Sequence, residues 1–170
     1  MYARSIALGI LAALDFGPPA PPAAAFTMES TGAVHLSTAG YEARYGVVPS
    51  PVKGRPILLL SIGDPIAQSV VHLVLATDHL PAAGHYPSGS GSFQASFMAG
   101  PAEHPLGFFR GQSGSVTITQ ADQGHITGTF TVRARGFLAA NTANENEWVT
   151  VQGSFDAEGD NTATTIASAN

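Results

Sequence analysis

Cysteine is absent from all 170 residues. The chain therefore holds together by core packing without disulfides, and it has no cysteine on which a lipid anchor could be built. Charge is also scarce: Asp, Glu, Lys and Arg make up 11% of the chain, and the net charge is -5. The few Lys and Arg residues are scattered along the sequence, which excludes a nucleic-acid footprint. No apolar run is long enough to span a bilayer as a helix. Nucleophile, metal and phosphate signatures are missing too: no G-x-S-x-G elbow, H-E-x-x-H pair, G-x-x-x-x-G-K loop or EF-hand occurs.

What remains is rich in Gly, Ala, Ser and Thr, with 44% hydrophobic residues. That composition suits one compact β-domain and is too apolar for a disordered chain. Residues 1–25 stand apart. Arg4 supplies a positive start, Ile6 to Leu14 an apolar run of signal-peptide length, and Ala23-Ala24-Ala25 a small-residue cleavage site. The expected organisation is a signal peptide over 1–25, one β-domain over 26–156 and a disordered tail over 157–170. Export to the periplasm or the medium follows, with no transmembrane segment in the mature protein.

The stretch from Ser113 to Phe155 organises the rest. Val116 to Thr119 alternates apolar and polar residues, a polar break follows, and the alternation resumes from His125 to Arg135. Ile126, Phe130, Val132 and Ala134 share one parity; Thr127, Thr129, Thr131, Arg133 and Arg135 share the other. In a third run, Trp148 to Phe155, Val149, Val151 and Phe155 point inward. Period two places one sheet face in the core and the other in water, and three such runs joined by turns predict an antiparallel meander.

Upstream, Ala33 to Ser37 is expected as the first strand, Thr38-Ala39-Gly40 as a turn and Tyr41 to Tyr45 as a second strand. Pro49 to Pro56 is a connection, since each proline removes a ladder donor. Ile57 to Ile62 is a continuous apolar run of the kind buried on both faces. Residues 64–77 fit a helix, with Asp64 as N-cap and Pro65 first in the helix, but their β-branched content favours a loop or single turn followed by a strand from Val70 to Ala76. Gly84 to Pro87 leads to a flexible Gly-Ser tip, and Phe93 to Phe97 is a strand with Phe93, Ala95 and Phe97 inward. About eight strands with short turns predict an all-β fold, an antiparallel sandwich or a flattened barrel. Thr31 to Ser37 echoes Ser113 to Thr119, a similarity that turn and strand preferences alone produce.

Gly40 to Tyr45, Leu80 to Tyr86, Ser113 to Thr119, Gly128-Thr129-Phe130 and Val149 to Asp156 together resemble the punctuation of exported bacterial β-domains of uncharacterised function. Many such domains are lipoproteins, from which this chain departs in lacking the anchoring Cys. The resemblance implies fold and export, and no activity.

Candidate chemistry is sparse. Ser90 sits in a Gly-Ser tip, where no base or sharp turn would activate it. His72, His79 and His85 with Asp78 offer imidazoles and a carboxylate in one segment, but their spacing matches no zinc pattern. The wetted face of the meander is the better candidate, with Arg133 and Arg135 two apart and Trp148 opening the next strand, a pairing suited to a sugar ring or a protein partner. The expected function is a non-catalytic binding or structural role at the cell envelope, with a glycan or protein partner and no cofactor or metal. The alternatives are an envelope hydrolase or metal-dependent enzyme built on Asp78, His79 and His85, and a subunit that adds a sheet edge to a partner.

Overall fold

The computed structural model describes residues 25–48, 57–64, 66, 68–77, 80–88, 93–122 and 124–159. These residues contain no helix and form ten strands: β1 (Phe26–Gly32), β2 (Leu36–Gly40), β3 (Ala43–Val48), β4 (Ile57–Ile62), β5 (Val70–Leu75), β6 (Gly84–Pro87), β7 (Phe93–Ala99), β8 (Gly107–Asp122), β9 (His125–Leu138) and β10 (Glu147–Gly159). All join one sheet that curves round in a partial ring. The fold is all-β, as the alternation predicts.

The meander β8-β9-β10 is its spine. These strands have 16, 14 and 13 residues, well beyond the usual length of about five or six. Each outer member therefore serves two neighbours along its free edge. Strand β10 pairs with β1 from Val149 to Phe155, then with β3 at Glu158 and Gly159. Strand β8 pairs with β7 from Gly107 to Arg110, then with β6 from Ser115 to Ile118. Register shifts at Gln112 and Thr119 mark two bulges in β8, and bulges bend a strand and increase its twist. The path β10-β3-β4-β5-β7-β8-β9 thereby returns to β10. Only the β10–β3 contact is parallel, and it spans two residue pairs.

The inner parity builds one core. Leu58, Leu60 and Ile62 of β4, Val71, Leu73 and Leu75 of β5, and Phe93 and Phe97 of β7 face Val116, Ile126, Phe130, Val132, Val151 and Phe155 of the meander. The only buried polar side chains among the described residues are Ser30 and Ser69, and both are satisfied. Ser30 Oγ donates to the Val34 carbonyl at 3.0 Å, and Ser69 Oγ accepts from the Gly100 N–H at 2.8 Å.

Several local expectations change. Residues 26–30, expected only as a lead-in, are themselves most of β1, with Phe26 and Met28 buried. Residues 33–35 turn between β1 and β2, and Thr38-Ala39-Gly40 is strand. Gly32 turns the chain there at φ 103°, a conformation that favours glycine. The echo between 31–37 and 113–119 thus joins a hairpin end to the interior of one long strand. Strand β4 buries one parity fully and leaves Ile57, Leu59 and Ser61 half-buried. The segment after β4 makes a single turn, with Asp64 Oδ1 accepting from the Ile66 N–H and the Gln68 N–H donating to the Asp64 carbonyl, each at 2.8 Å. Strand β5 follows as expected. Gly84 to Pro87 is a strand because β8 offers it a ladder. At the other end β10 runs three residues past the boundary drawn at Asp156, with Ala157 fully buried. The signal-peptide segment up to residue 24, the proline-rich connection, Ser90 and residues 160–170 lie outside the described residues.

Candidate functional site

The outer parity of β9 reads Thr127, Thr129, Thr131, Arg133, Arg135, Phe137. Two open grooves share this line of side chains. The first, of about 560 Å³, is lined by Thr27, Glu29, Thr129, Thr131, Gln152 and Ser154. Its surface is hydroxyl-rich, and neighbouring strands are tied across it by Thr27 and Ser154, whose hydroxyls lie 2.8 Å apart. The second, of about 850 Å³, is lined by His72, Ser96, Phe108, Arg110, Arg135 and Phe137 among others. On β9 the two are separated only by Arg133.

Strand pairing explains the second groove. Successive ladders align Ser61, His72, Ser96, Arg110, Arg135 and Trp148 in one row across β4, β5, β7, β8, β9 and β10. All belong to the wetted parity, so the sheet carries this polar row over its outer surface. The next row adds Phe137 opposite Phe108, with ring centroids 5.9 Å apart. Phe108 remains 41% exposed, an apolar wall beside two guanidinium groups.

The sequence candidates converge here. Arg133 lies over the Trp148 ring, 4.4 Å from its centroid, a cation–π contact that orients both side chains. Trp148 keeps 39% of its surface exposed. Arg135 is the cross-strand partner of Trp148, and its Nε donates to the Glu145 carbonyl at 3.1 Å. Spacing on one strand implied the Arg133–Arg135 line; the Arg133–Trp148 contact required the β9–β10 register.

The structure adds Arg110, His72, Phe108 and Phe137. Arg110 carries no periodic signal of its own, because it precedes the bulge at Gln112 and reaches Arg135 only through the β8–β9 ladder. Cations that look scattered in sequence are thus clustered in space: of the described arginines, Arg110, Arg133 and Arg135 sit on the adjacent strands β8 and β9, while Arg44 extends the same row on β3, four strands from Arg110. His72 is half-buried on β5, and burial lowers its pKa by penalising the imidazolium. At neutral pH it is an uncharged hydrogen-bonding group at the groove wall.

The histidine cluster does not assemble in the same way. Asp78 and His79 lie outside the described residues. His72 is on β5 and His85 on β6, strands that do not pair with each other. His85 is exposed, its Nδ1 3.1 Å from Thr117 Oγ1. Among the described residues no three His, Cys, Asp or Glu side chains are grouped to hold a metal ion. Comparison with family models, with curated proteins and with solved structures finds no match to this chain.

Proposed function

We propose that the mature chain is an exported, non-catalytic binding domain of the cell envelope, and that it takes an extended glycan along the outer face of β9. The observation that carries this reading is that the two grooves lie in line along the outer face of β9, with Arg133 and its Trp148 contact between them. From Thr129 to Phe137 the shared line covers about 26 Å at the usual strand rise. It offers hydroxyls, an amide, guanidinium groups and aromatic rings in succession. Such a surface suits a polymer of polar rings better than a compact small molecule, which binds in an enclosed and mostly apolar pocket.

Export rests on the N-terminal pattern and on the resemblance to exported bacterial β-domains. Cleavage after Ala25 would leave Phe26, the buried first residue of β1, at the new terminus with its strand intact. Edge addition to a partner has less support. The end strands of the pairing path, β2 and β6, have five and four residues, and β6 closes on a proline; short edges with Pro are poor templates.

Trp148 is the only tryptophan, so its fluorescence reports on the surface directly. Protein recovered from the exported fraction, with a mass that places its N-terminus near Phe26, is titrated with neutral and acidic oligosaccharides of about six residues. The expected result is saturable quenching, and loss of calorimetric binding heat on Trp148→Ala. An intact chain from Met1 in the cytosol overturns the export reading; no binding across the panel overturns the glycan reading.

A further inference from the structure

In a chain of net charge -5, three of the described cations meet on one face. Arg44, four strands from Arg110 along the same row, has a carboxylate partner, Glu42 Oε2 at 3.3 Å. Among the described residues Arg110, Arg133 and Arg135 have none within ion-pair distance. Arg110 and Arg135 are direct partners across the β8–β9 ladder, and like charges directly opposite one another destabilise a sheet. Among the described residues the pair has no protein counter-ion, which leaves it open to an anion from outside.

The groups around the pair narrow the ligand. A guanidinium is a planar fork that fits a carboxylate through two parallel hydrogen bonds. Arg135 is anchored through Nε to the Glu145 carbonyl, which leaves its Nη groups without a protein acceptor among the described residues. Phe108 and Phe137 stand beside the pair, as an apolar surface for the carbon face of a ring. We propose that Arg110 and Arg135 bind the carboxylate of a uronic-acid-containing glycan whose sugar ring lies against Phe108 and Phe137. This rests on the glycan-binding reading given above.

Charge density separates a uronate from a sulfated or phosphorylated polymer. Arg133 and Arg135 are two residues apart on β9, about 6.7 Å at the usual strand rise, and beyond Arg133 the outer line continues only through Thr131, Thr129 and Thr127, so its cations are confined to one end. The neighbouring groove has no described cation and contains Glu29, and Glu145 lines the groove of the arginine pair itself. A densely anionic chain would run against both carboxylates and against the net negative field of the molecule. A glycan with one carboxylate per acidic residue and hydroxyls elsewhere meets both grooves with less of that repulsion, because only one charge per unit has to be placed, and Arg110 and Arg135 offer the place.

The test titrates the mature protein with hexamers of galacturonate, glucuronate and mannuronate. Their carboxyl-reduced forms and a sulfated hexasaccharide of similar length serve as comparators, with Trp148 fluorescence and calorimetry as readouts. At least one uronate should bind, and carboxyl reduction should weaken it about tenfold or more, the usual scale for losing a charged hydrogen-bond partner. Arg110→Gln and Arg135→Gln should each cause a similar loss without lowering Tm, whereas Arg44→Gln should bind as the parent does. Equal affinity for the neutral and carboxylated forms overturns the carboxylate assignment and leaves the glycan reading standing. Preference for the sulfated chain, or Arg variants that bind uronate normally, also overturns it. Failure of every oligosaccharide overturns both readings.

Discussion

Phe130 and Phe155 each face a glycine across the β9–β10 ladder: Phe130 opposes Gly153, and Phe155 opposes Gly128. A Cβ on Gly153 would stand 3.0 Å from the Phe130 ring, and one on Gly128 would stand 2.9 Å from the Phe155 ring. The rings lie over the backbone that the glycines leave bare, an arrangement that pins strand register. Their centroids are 6.4 Å apart, so the two pairs form one core cluster. Phe130→Ala should lose about 3–5 kcal/mol through lost burial and an unfilled cavity. Arg133→Ala, on the opposite parity, should stay within about 0.5 kcal/mol. Equilibrium denaturation of both variants checks the assignment; comparable losses would refute it.

His72 and His125 couple the residue scale to pH with opposite signs. The pKa of His72 is lowered by burial, so the unfolded chain takes up this proton near the ordinary value of about 6.5 while the folded chain resists until lower pH. Between those points the unfolded state binds more protons, and stability falls as pH drops below about 6.5. The pKa of His125 is raised, first by its hydrogen bond to Asp156, with Nδ1 3.1 Å from Oδ1. Its contribution is fully present below about 6.5 and is lost as pH rises through the raised value. That pair is exposed and sits in solvent that screens it. His72→Gln should therefore flatten the decline of Tm between about pH 7 and pH 5. An unchanged slope in the variant would show that His72 does not carry the decline.

At the scale of elements, the length of the three meander strands does most of the positioning. A strand of ordinary length has one neighbour per edge, whereas β8 and β10 change neighbours partway along. The bulge at Gln112 falls between the part of β8 that pairs with β7 and the part that pairs with β6, with Arg110 opposite Arg135 before it and Thr117 opposite Thr129 after it. The end of β10 is as consequential, because Glu158 and Gly159 provide the whole of its pairing with β3. Ending the chain after Asp156 would remove that pairing and the buried Ala157. The expected loss is about 1–2 kcal/mol from a few hydrogen bonds and one small apolar group, or a fall in Tm of roughly 2–8 °C for a chain of this size. Ending it after residue 159 keeps both. Thermal melts of the two truncations compare them, and equal Tm values would mean that the β10–β3 seam adds nothing to stability.

For the whole molecule, the partial ring reconciles a small charge content with a defined surface. A single core takes the inner parity of every long strand, and the outer parity remains as one continuous polar skin. With few charges to distribute, clustering three arginines on that skin contrasts with the net negative balance of the chain and gives one face a local electrostatic character. The make-up of that face depends on lateral pairing. His72 reaches the row of Arg110 and Arg135 only because β5, β7 and β8 are hydrogen-bonded in turn.

The sequence alone determined the all-β class, the meander from Ser113 onward and the parity of its side chains. Period-two alternation is local, and a residue such as Phe130 or Arg133 declares its face through its immediate neighbours. Arg133, Arg135 and Trp148 were legible for that reason. The position of β1 was less so, because the Ala33-Val34-His35-Leu36-Ser37 run has strand propensity and only the ladder with β10 decides that its first residues turn. Tertiary structure alone decided that Arg110 stands opposite Arg135, that Arg133 covers Trp148 and that His72 joins the same row. Those relations are set by cross-strand register, which links residues far apart in the chain and leaves no periodic trace at either one.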